Sequence, residues 1–292
     1  MAIRSENFLL RRYIEKAMVD LPAMPTTVLR VVKAIEEGDA SASQVERIIV
    51  GDAAITSKVL KTVNSPYFGM PRQVTSISQA ITILGMNQLR NVTLSIGVLN
   101  ALSSTSPRIQ AIQRTSWEAS FASASCATRI ARSRNVSNAI VESILIGGLL
   151  HDIGQLFLLT LFNVPYSEVL TRSKRMNHPL HQVERQVLGT THAELGASLA
   201  ERWSFPSDLV SMIRLHDGEV ADTELTPQVC CVHLSDRLVN RIMNEGEGDL
   251  DAQFPFDPAV LAWANFSEAE LTELADQVKE DIAKAKATNP MD

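Results

Sequence analysis

Residues 146–157 read IGGLLHDIGQLF, and the polar pair in the middle of that run decides how the rest of the chain is read. The residues from Ser137 to Leu150 begin polar and become apolar, as a helix entering a core does, and His151 and Asp152 follow directly. Burying an adjacent imidazole and carboxylate costs free energy unless each finds a hydrogen bond, an opposite charge or a metal ion. The pair therefore needs partners from elsewhere in the chain. Candidates are His192, set just behind Thr191 at a helix start, His216-Asp217 at a helix end, and Asp236 in VHLSDRLV with apolar neighbours on both sides. An ion held by imidazoles and carboxylates from four separate helices would satisfy all of them at once. A plainer reading stands beside it: Asp152 bonds backbone amides near Gly154, His192 packs on its own helix, and His216-Asp217-Gly218 is a helix-ending turn. His178 and His181, in the polar stretch NHPLH, are expected to be exposed, and His233 to sit beside Asp236 one helical turn away.

Outward from this run the sequence is punctuated as a succession of helices, without sustained strand alternation. Pro25 stands ahead of Val28, Leu29, Val31, Val32 and Ile35, with Gly38 as a stop. Ser43-x-x-Glu46 and Ser76-x-x-Gln79 read as capping boxes, Gly85 ends a turn, and Asp52 to Asn64 carries Ile55, Val59, Leu60 and Val63 on one face. Another helix follows Met86 to about Leu102, and Ser103 to Pro107 (SSTSP) is the candidate hinge. Beyond it, helices are predicted over Arg108–Arg134, Ser137–Leu150, Pro165–Met176, Pro179–Leu188, Thr191–Trp203, Pro206–Leu215 and Pro227–Met243. The stretch NEGEGDLD (244–251) reads as a loop, and Ser267-x-x-Glu270 caps a last helix that frays in KAKATNPMD. The expected architecture is all-α: a helical lobe over 1–106, a second helical lobe over 107–243, and an acidic loop with a helical tail over 244–292.

Composition agrees with a folded chain. Of 292 residues 45% are hydrophobic and 21% charged, so neither disorder throughout nor a low-complexity class fits. The net charge of −6 hides an asymmetry: residues 1–134 carry 16 Lys plus Arg against 9 Asp plus Glu, and residues 135–292 carry 11 against 24. The positive charges of the first part are scattered, which favours a solvated surface over a nucleic-acid face. The amino terminus lacks the apolar core and cleavage site of a secretory signal, and no apolar run of about 18 residues is evident. With Cys126, Cys230 and Cys231 read as reduced thiols, the expected location is the cytoplasm.

Several of these stretches together resemble a known family. LPAMPTTVLRVVKAIEEGDASASQVERIIVGDAAITSKVLKTVNSPYFG (21–69) and VTSISQAITILGMNQLRNVTL (74–94) resemble the amino-terminal half of the HDOD output domain. IGGLLHDIGQLFL, THAELGASLAERWSFP, LHDG and VCCVHLSD, in that order, resemble its degenerate HD-type phosphohydrolase half. The resemblance spans roughly residues 17–242. It implies a bacterial, two-lobed, all-helical regulatory module that acts through contacts with signalling proteins and does not turn over substrate. It further implies a residual divalent-metal site, for Fe, Mn or Zn, at His151, Asp152, His192, His216 and Asp236, with a nucleotide as a candidate ligand.

Two departures bear on activity. Active HD relatives take a ligand His from an earlier helix, and the matching place in TSWEAS is Ala119, which cannot ligate a metal. Their H-D-x-G-K motif ends in a Lys, and here Gln155 stands in its place. Hydrolysis needs a metal-activated water and charge compensation on the phosphoryl oxygens, and both losses weaken it. The Gly-Tyr-Pro motif of cyclic-di-GMP hydrolases does not follow His216 either. The alternative is a divalent-metal phosphohydrolase or phosphodiesterase acting on a nucleotide through His151, Asp152 and His192. In NSPYFG, Pro66 and Gly69 shape a turn that acts as a structural wedge, or else Tyr67, Phe68 and nearby Met70 form a partner-binding patch.

Overall fold

The computed structural model describes residues 13, 14, 16, 17, 23–64, 68, 70–104 and 106–286. It is all-helical, with no strand among the described residues. The chain divides into two compact units, Pro22–Ser103 with Ala283–Asp292, and Met1–Leu21 with Ser104–Ile282. The chain passes from one to the other inside SSTSP.

The smaller unit is built from α1 (Thr26–Glu36), α2 (Ala42–Val50), α3 (Ala53–Val63) and α4 (Ile77–Ala101), with α4 packed against each of the other three. Its core is aliphatic: Val28, Val31, Val45, Ile49, Val59, Val63 and Leu89 are fully buried or nearly so. Asp52 caps α3 by accepting from the Ala54 and Ile55 amides. Asn64 ends α3 and clasps Val74, donating to its carbonyl at 2.8 Å and accepting from its amide at 2.7 Å. Of the proposed contact residues, Phe68 and Met70 are half-buried, and Tyr67 lies outside the described residues. The α2 cap differs from expectation. SASQVE contains two overlapping box patterns, and the pair that forms is Ser41 with Gln44, which leaves Ser43 inside the helix. As expected, Gly85 at φ 79° ends the first helical stretch of α4, and a second stretch follows it directly.

The larger unit holds the predicted helices in order, α5 (Pro107–Ser133), α6 (Asn138–Leu150), α8 (Asn163–Met176), α9 (Leu180–Val187), α10 (His192–Arg202), α11 (Ser207–Leu215) and α12 (Pro227–Met243), and one more that the sequence reading did not place, α7 (Ile153–Leu161), between α6 and α8. They are followed by α13 (Leu250–Gln253), α14 (Pro258–Ala264) and α15 (Glu268–Lys286). Helices α5, α6 and α12 form the centre, with α11 against α6 and α12, and α7 against α10. Small residues on α5 allow this: Ala122, Ala124, Ala127 and Ala131 are fully buried. A Cβ on Gly148 would lie 2.5 Å from the Ala124 Cα, so only glycine permits α6 to lie this close to α5.

Helix α6 runs into α7 with only His151 and Asp152 between them, and Asn138–Leu161 forms a 24-residue apolar run. By length and composition it could cross a membrane, which corrects the expectation that no such run exists; 83% of its most apolar window is buried within the protein. The last helix is likewise more than a loose tail. Leu274, Val278 and Ile282 are buried, and Asp281 accepts from Ser125 Oγ at 2.6 Å and takes both forks of Arg129 at 3.1–3.2 Å.

Candidate metal centre

Four helix ends and the middle of a fifth helix meet in the larger unit and deliver polar side chains into one buried cluster. His151 and Asp152 come from the α6–α7 junction, His192 from the first residue of α10, His216 and Asp217 from the end of α11, and Asp236 and Arg237 from the middle of α12. All the residues named from the sequence are therefore brought together. His151, His192, His216 and Asp236 are at most 4% exposed.

The placement has local causes. Thr191 and Glu194 form a capping box that fixes the first turn of α10, and so the start of the His192 side chain. Gly154 lies against that turn. A Cβ there would be 1.9 Å from the His192 carbonyl and 2.6 Å from the Gly196 amide, both main-chain atoms, so the Gly in HDIGQ is what lets α7 approach α10.

Each imidazole commits its Nδ1 to an acceptor. His151 donates to the Gly148 carbonyl at 2.8 Å, His216 to the Ile213 carbonyl at 2.8 Å, and His192 to the Glu184 carboxylate at 2.7 Å. Because those partners can only accept, the tautomers follow: Nδ1 carries a proton and Nε2 is turned inward. The His192 and His216 Nε2 atoms lie 3.1 Å apart, and each is 3.4 Å from Asp152 Oδ1. In a tetrahedral site with bonds of 2.0–2.1 Å, neighbouring donors are about 3.3–3.4 Å apart. The Asp152–His192–His216 triangle has that size. Two nitrogen lone pairs and a carboxylate oxygen facing one point make a donor set suited to a divalent transition metal such as Zn, Fe or Mn.

His151 and Asp236 form the other part of the cluster. Nε2 of His151 donates to Asp236 Oδ1 at 3.2 Å, and Asn240 Nδ2 donates to the same oxygen at 2.6 Å. With His216 these two make a second set of potential ligands.

Charge explains the titration of the metal-free cluster. Asp152, Asp217, Asp236 and Glu184 bring four carboxylates, and Arg237, ion-paired with Asp217, is the one permanent cation among them. Burial disfavours charge on His151, but Asp152 and Asp236 outweigh it and raise its pKa to about 9. Burial likewise opposes His192, and Glu184, Asp152 and Asp217 raise it to about 10. Burial would push the carboxyls up, yet facing imidazoles hold Asp152 low, Arg237 with His181 and His192 holds Asp217 low, and His151 with Arg237 holds Asp236 low. The cluster thus draws in positive charge, as protons or as an ion.

One expectation is corrected: His181 is half-buried and donates through Nδ1 to Asp217 at 2.8 Å, because α9 turns that side chain toward the end of α11. His233 sits one turn before Asp236 on α12, as expected; it is fully buried and its Nδ1 bonds the Leu215 carbonyl at 3.3 Å, so it also supports the turn that carries His216. Burial and Arg237 lower its pKa to about 4. Sequence reasoning missed Glu184, Tyr166 and Arg237. Glu184 is wholly buried and accepts from the His192 amide at 3.0 Å, from His192 Nδ1, and from the Tyr166 hydroxyl at 2.5 Å.

The cluster forms the floor of a cavity of about 370 Å³. Asp152, His192, His216, Asp217, Asp236 and Arg237 line it, as do Ala119 and Gln155, the two positions where a His and a Lys were missed in the sequence. Lys174 lies at its rim, bonded to Glu247 and Asn244 at 3.0 Å each.

With this geometry in view, comparison with known proteins gives a family. Residues 21–218 match the HDOD domain. The chain belongs to the HDOD domain family. An HDOD domain protein of unknown function from Geobacter sulfurreducens has the same fold, with a TM-score of 0.70 and 23% identity over 98% of this chain and 97% of that one. A provisionally named phosphohydrolase from Shewanella amazonensis superposes with a TM-score of 0.72 at 18% identity, over 96% and 97% of the two chains. Among curated sequences, an uncharacterized Treponema pallidum protein is 29% identical over 218 residues. That match covers 73% of this HDOD chain and 41% of the relative, so the chain spans less than half of the relative's length.

Proposed function

We propose that this HDOD chain is a regulatory module of a signalling pathway, working through contacts with other proteins in the cytoplasm, and that its His–Asp cluster holds a divalent ion without turning over substrate. The observation that carries this reading is the charge economy of the cavity. Its two permanently cationic side chains, Arg237 and Lys174, are already paired with Asp217 and Glu247, and the lining residues Ala119 and Gln155 are neutral. A phosphoryl group entering the cavity meets three carboxylates on the floor, and among the described lining residues no Lys or Arg is left unpaired to assist a bound ion. The ion alone would then have to offset the charge that develops during phosphoryl transfer, which disfavours turnover.

Asp152, His192 and His216 are the residues that would hold the ion, with Glu184 orienting His192 from behind. Bound there, a metal would supply a fixed positive charge and a Lewis-acidic position. The chain's own residues keep the site rigid: three Nδ1 bonds set ring orientation, and Gly154 seats α7 on α10.

The test is elemental analysis of protein purified without chelator or His tag, beside Asp152→Ala, together with a hydrolysis screen of nucleotides and p-nitrophenyl phosphate. The expected result is bound Fe, Mn or Zn that is lost in the variant, with no turnover by either protein. Hydrolysis by the native chain that disappears in Asp152→Ala would overturn the non-catalytic reading in favour of a metal-dependent phosphohydrolase.

A further inference from the structure

Two parts of the chain meet along the edge of the cavity. Helix α8 lines it with Ser173 and Lys174, and the stretch 244–254, which leaves the end of α12, lines it with Asn244, Glu247 and Gln253. They are joined through side chains. Lys174 Nζ donates to Glu247 Oε2 and to Asn244 Oδ1 at 3.0 Å each, and Asn177 Oδ1, just past α8, accepts from the Asp249 amide at 3.1 Å and from Gln253 Nε2 at 3.0 Å. No main-chain to main-chain hydrogen bond crosses between the two parts among the described residues. At its far end the stretch is tied back to α12, where Arg241 donates to the Phe254 carbonyl at 3.0 Å and lies over the Phe256 ring. It is a strap, fixed at both ends to one helix and seated on another in between.

The seat is closely fitted and the ion pair beside it is weak. A Cβ on Gly248 would lie 2.4 Å from Asn177 Oδ1 and 2.7 Å from Gln253 Nε2, so the strap reaches Asn177 only because that position has no side chain. Lys174 and Glu247, by contrast, are 58% and 62% exposed while both line the cavity, which puts their pair where the cavity meets solvent. An ion pair so exposed shifts an open–closed equilibrium by only about two- to fivefold, and salt screens it. Contacts of that strength belong to segments that open locally while the core stays folded.

We propose that the Lys174–Glu247 pair is a latch that holds the strap against α8, and that its release sets how fast an ion reaches or leaves Asp152, His192 and His216 on the cavity floor. The ion rests on the metal reading above; the latch does not. Neither Lys174 nor Glu247 bonds any of those three residues, so the latch changes entry and exit alike and leaves the affinity at equilibrium where it is.

The experiment loads the full chain with Zn²⁺ and follows its release to an excess of a chromophoric chelator, with affinity measured separately by competition at equilibrium. Three variants are compared: Lys174→Met removes a positive charge, Glu247→Gln a negative one, and Gly248→Ala none. The expected result is release about two- to fivefold faster in both charge variants, and faster likewise in Gly248→Ala, with affinity unchanged. Release from the native chain should also quicken with salt, and release from Glu247→Gln should not. A direct effect of charge on the ion would instead move Lys174→Met and Glu247→Gln in opposite directions; that outcome, or native rates in all three variants, overturns the latch and leaves the metal reading intact. If the native chain takes up no Zn²⁺ the metal reading falls, and the latch is then read from amide hydrogen exchange of the metal-free chain. Residues 244–254 should exchange faster in each variant with α12 unchanged, and exchange equal to native overturns the latch.

Discussion

Replacing Glu184 should separate the role of the carboxylate from that of the fold. Its side chain is fully buried and accepts three hydrogen bonds, from the His192 amide, His192 Nδ1 and the Tyr166 hydroxyl. In Glu184→Gln the amide oxygen can still accept from both His192 donors, and the amide NH₂ can donate to the Tyr166 oxygen, which rotates its proton away. What is lost is charge assistance. Bonds to charged groups contribute about 1.5–3 kcal/mol and neutral ones about 0.5–1.5 kcal/mol, so the metal-free variant should lose about 2 kcal/mol. Metal affinity should fall by roughly 10–100-fold, the usual effect of disturbing the partner of a ligating imidazole. Glu184→Ala is harsher, since three donors lose their acceptor at about 1–3 kcal/mol each; it should reach the range where a domain with about 5–15 kcal/mol of stability unfolds. Urea denaturation gives the stability change, and competition against a chelator of known affinity gives the metal change. A Gln variant that keeps native metal affinity while folding normally would show that Glu184 has no part in holding His192 as a ligand.

Other outcomes follow from the same contacts. In the metal-free chain His151 and His192 have pKa values raised from 6.5 to about 9 and about 10, so their contribution to stability is complete below about pH 6.5 and is lost as pH rises through 9 and 10. The urea midpoint should decline over that window without metal, and a flat profile would contradict the charge inventory. Gly154→Ala should cost about 3 kcal/mol, a fall of roughly 6–12 °C in Tm, because its Cβ meets main chain rather than a movable side chain; an unchanged Tm in a thermal scan would deny the close contact of α7 with α10. Burial pushes the Cys126 and Cys231 thiols up and raises Cys230 to about 12, so Ellman's reagent should find no reactive thiol in the native protein and three in guanidinium. Asp281→Ala should destabilise by about 1–2 kcal/mol, measured by urea melts, since Ser125 on α5 loses its buried acceptor while Arg129, over a third exposed, can turn to water; a change below about 0.3 kcal/mol would return α15 to the status of a loose tail.

The helices were legible because their ends carry local chemistry. Asp52, Ser76, Thr191 and Thr226 accept from amides in the first turns of their helices, and each cap acts within a few residues of sequence. Where two local solutions overlap, as in SASQVE, the pattern cannot choose, and packing of Val45 and Ile49 into the core accompanies the one that forms. The His151–Asp152 pair was legible for a different reason: polar groups in an apolar run announce a cost. Glu184 gives no such signal. In HQVERQV it sits between two Gln and beside Arg185, a composition that reads as a solvated face, and only the packing of α9 against α8 and α10 buries it. Arg237 was hidden likewise, as a charge directly after Asp236, until the end of α11 brought Asp217 to it.

The cluster ties several helices of the larger unit to one buried charge balance. Its groups come from the α6–α7 junction and from α10, α11 and α12, with α9 supplying Glu184, so its charge balance is shared by six helices of the larger unit. Protons on His151 and His192 can meet that balance, and so can an ion, but not with the same geometry: a shared proton joins two atoms, whereas an ion draws Asp152, His192 and His216 to one point. Binding energy for the ion is then stability for this helix set, because the unfolded chain has no such triangle to offer. On the proposed regulatory reading, occupancy of that point is felt by every helix tied to it.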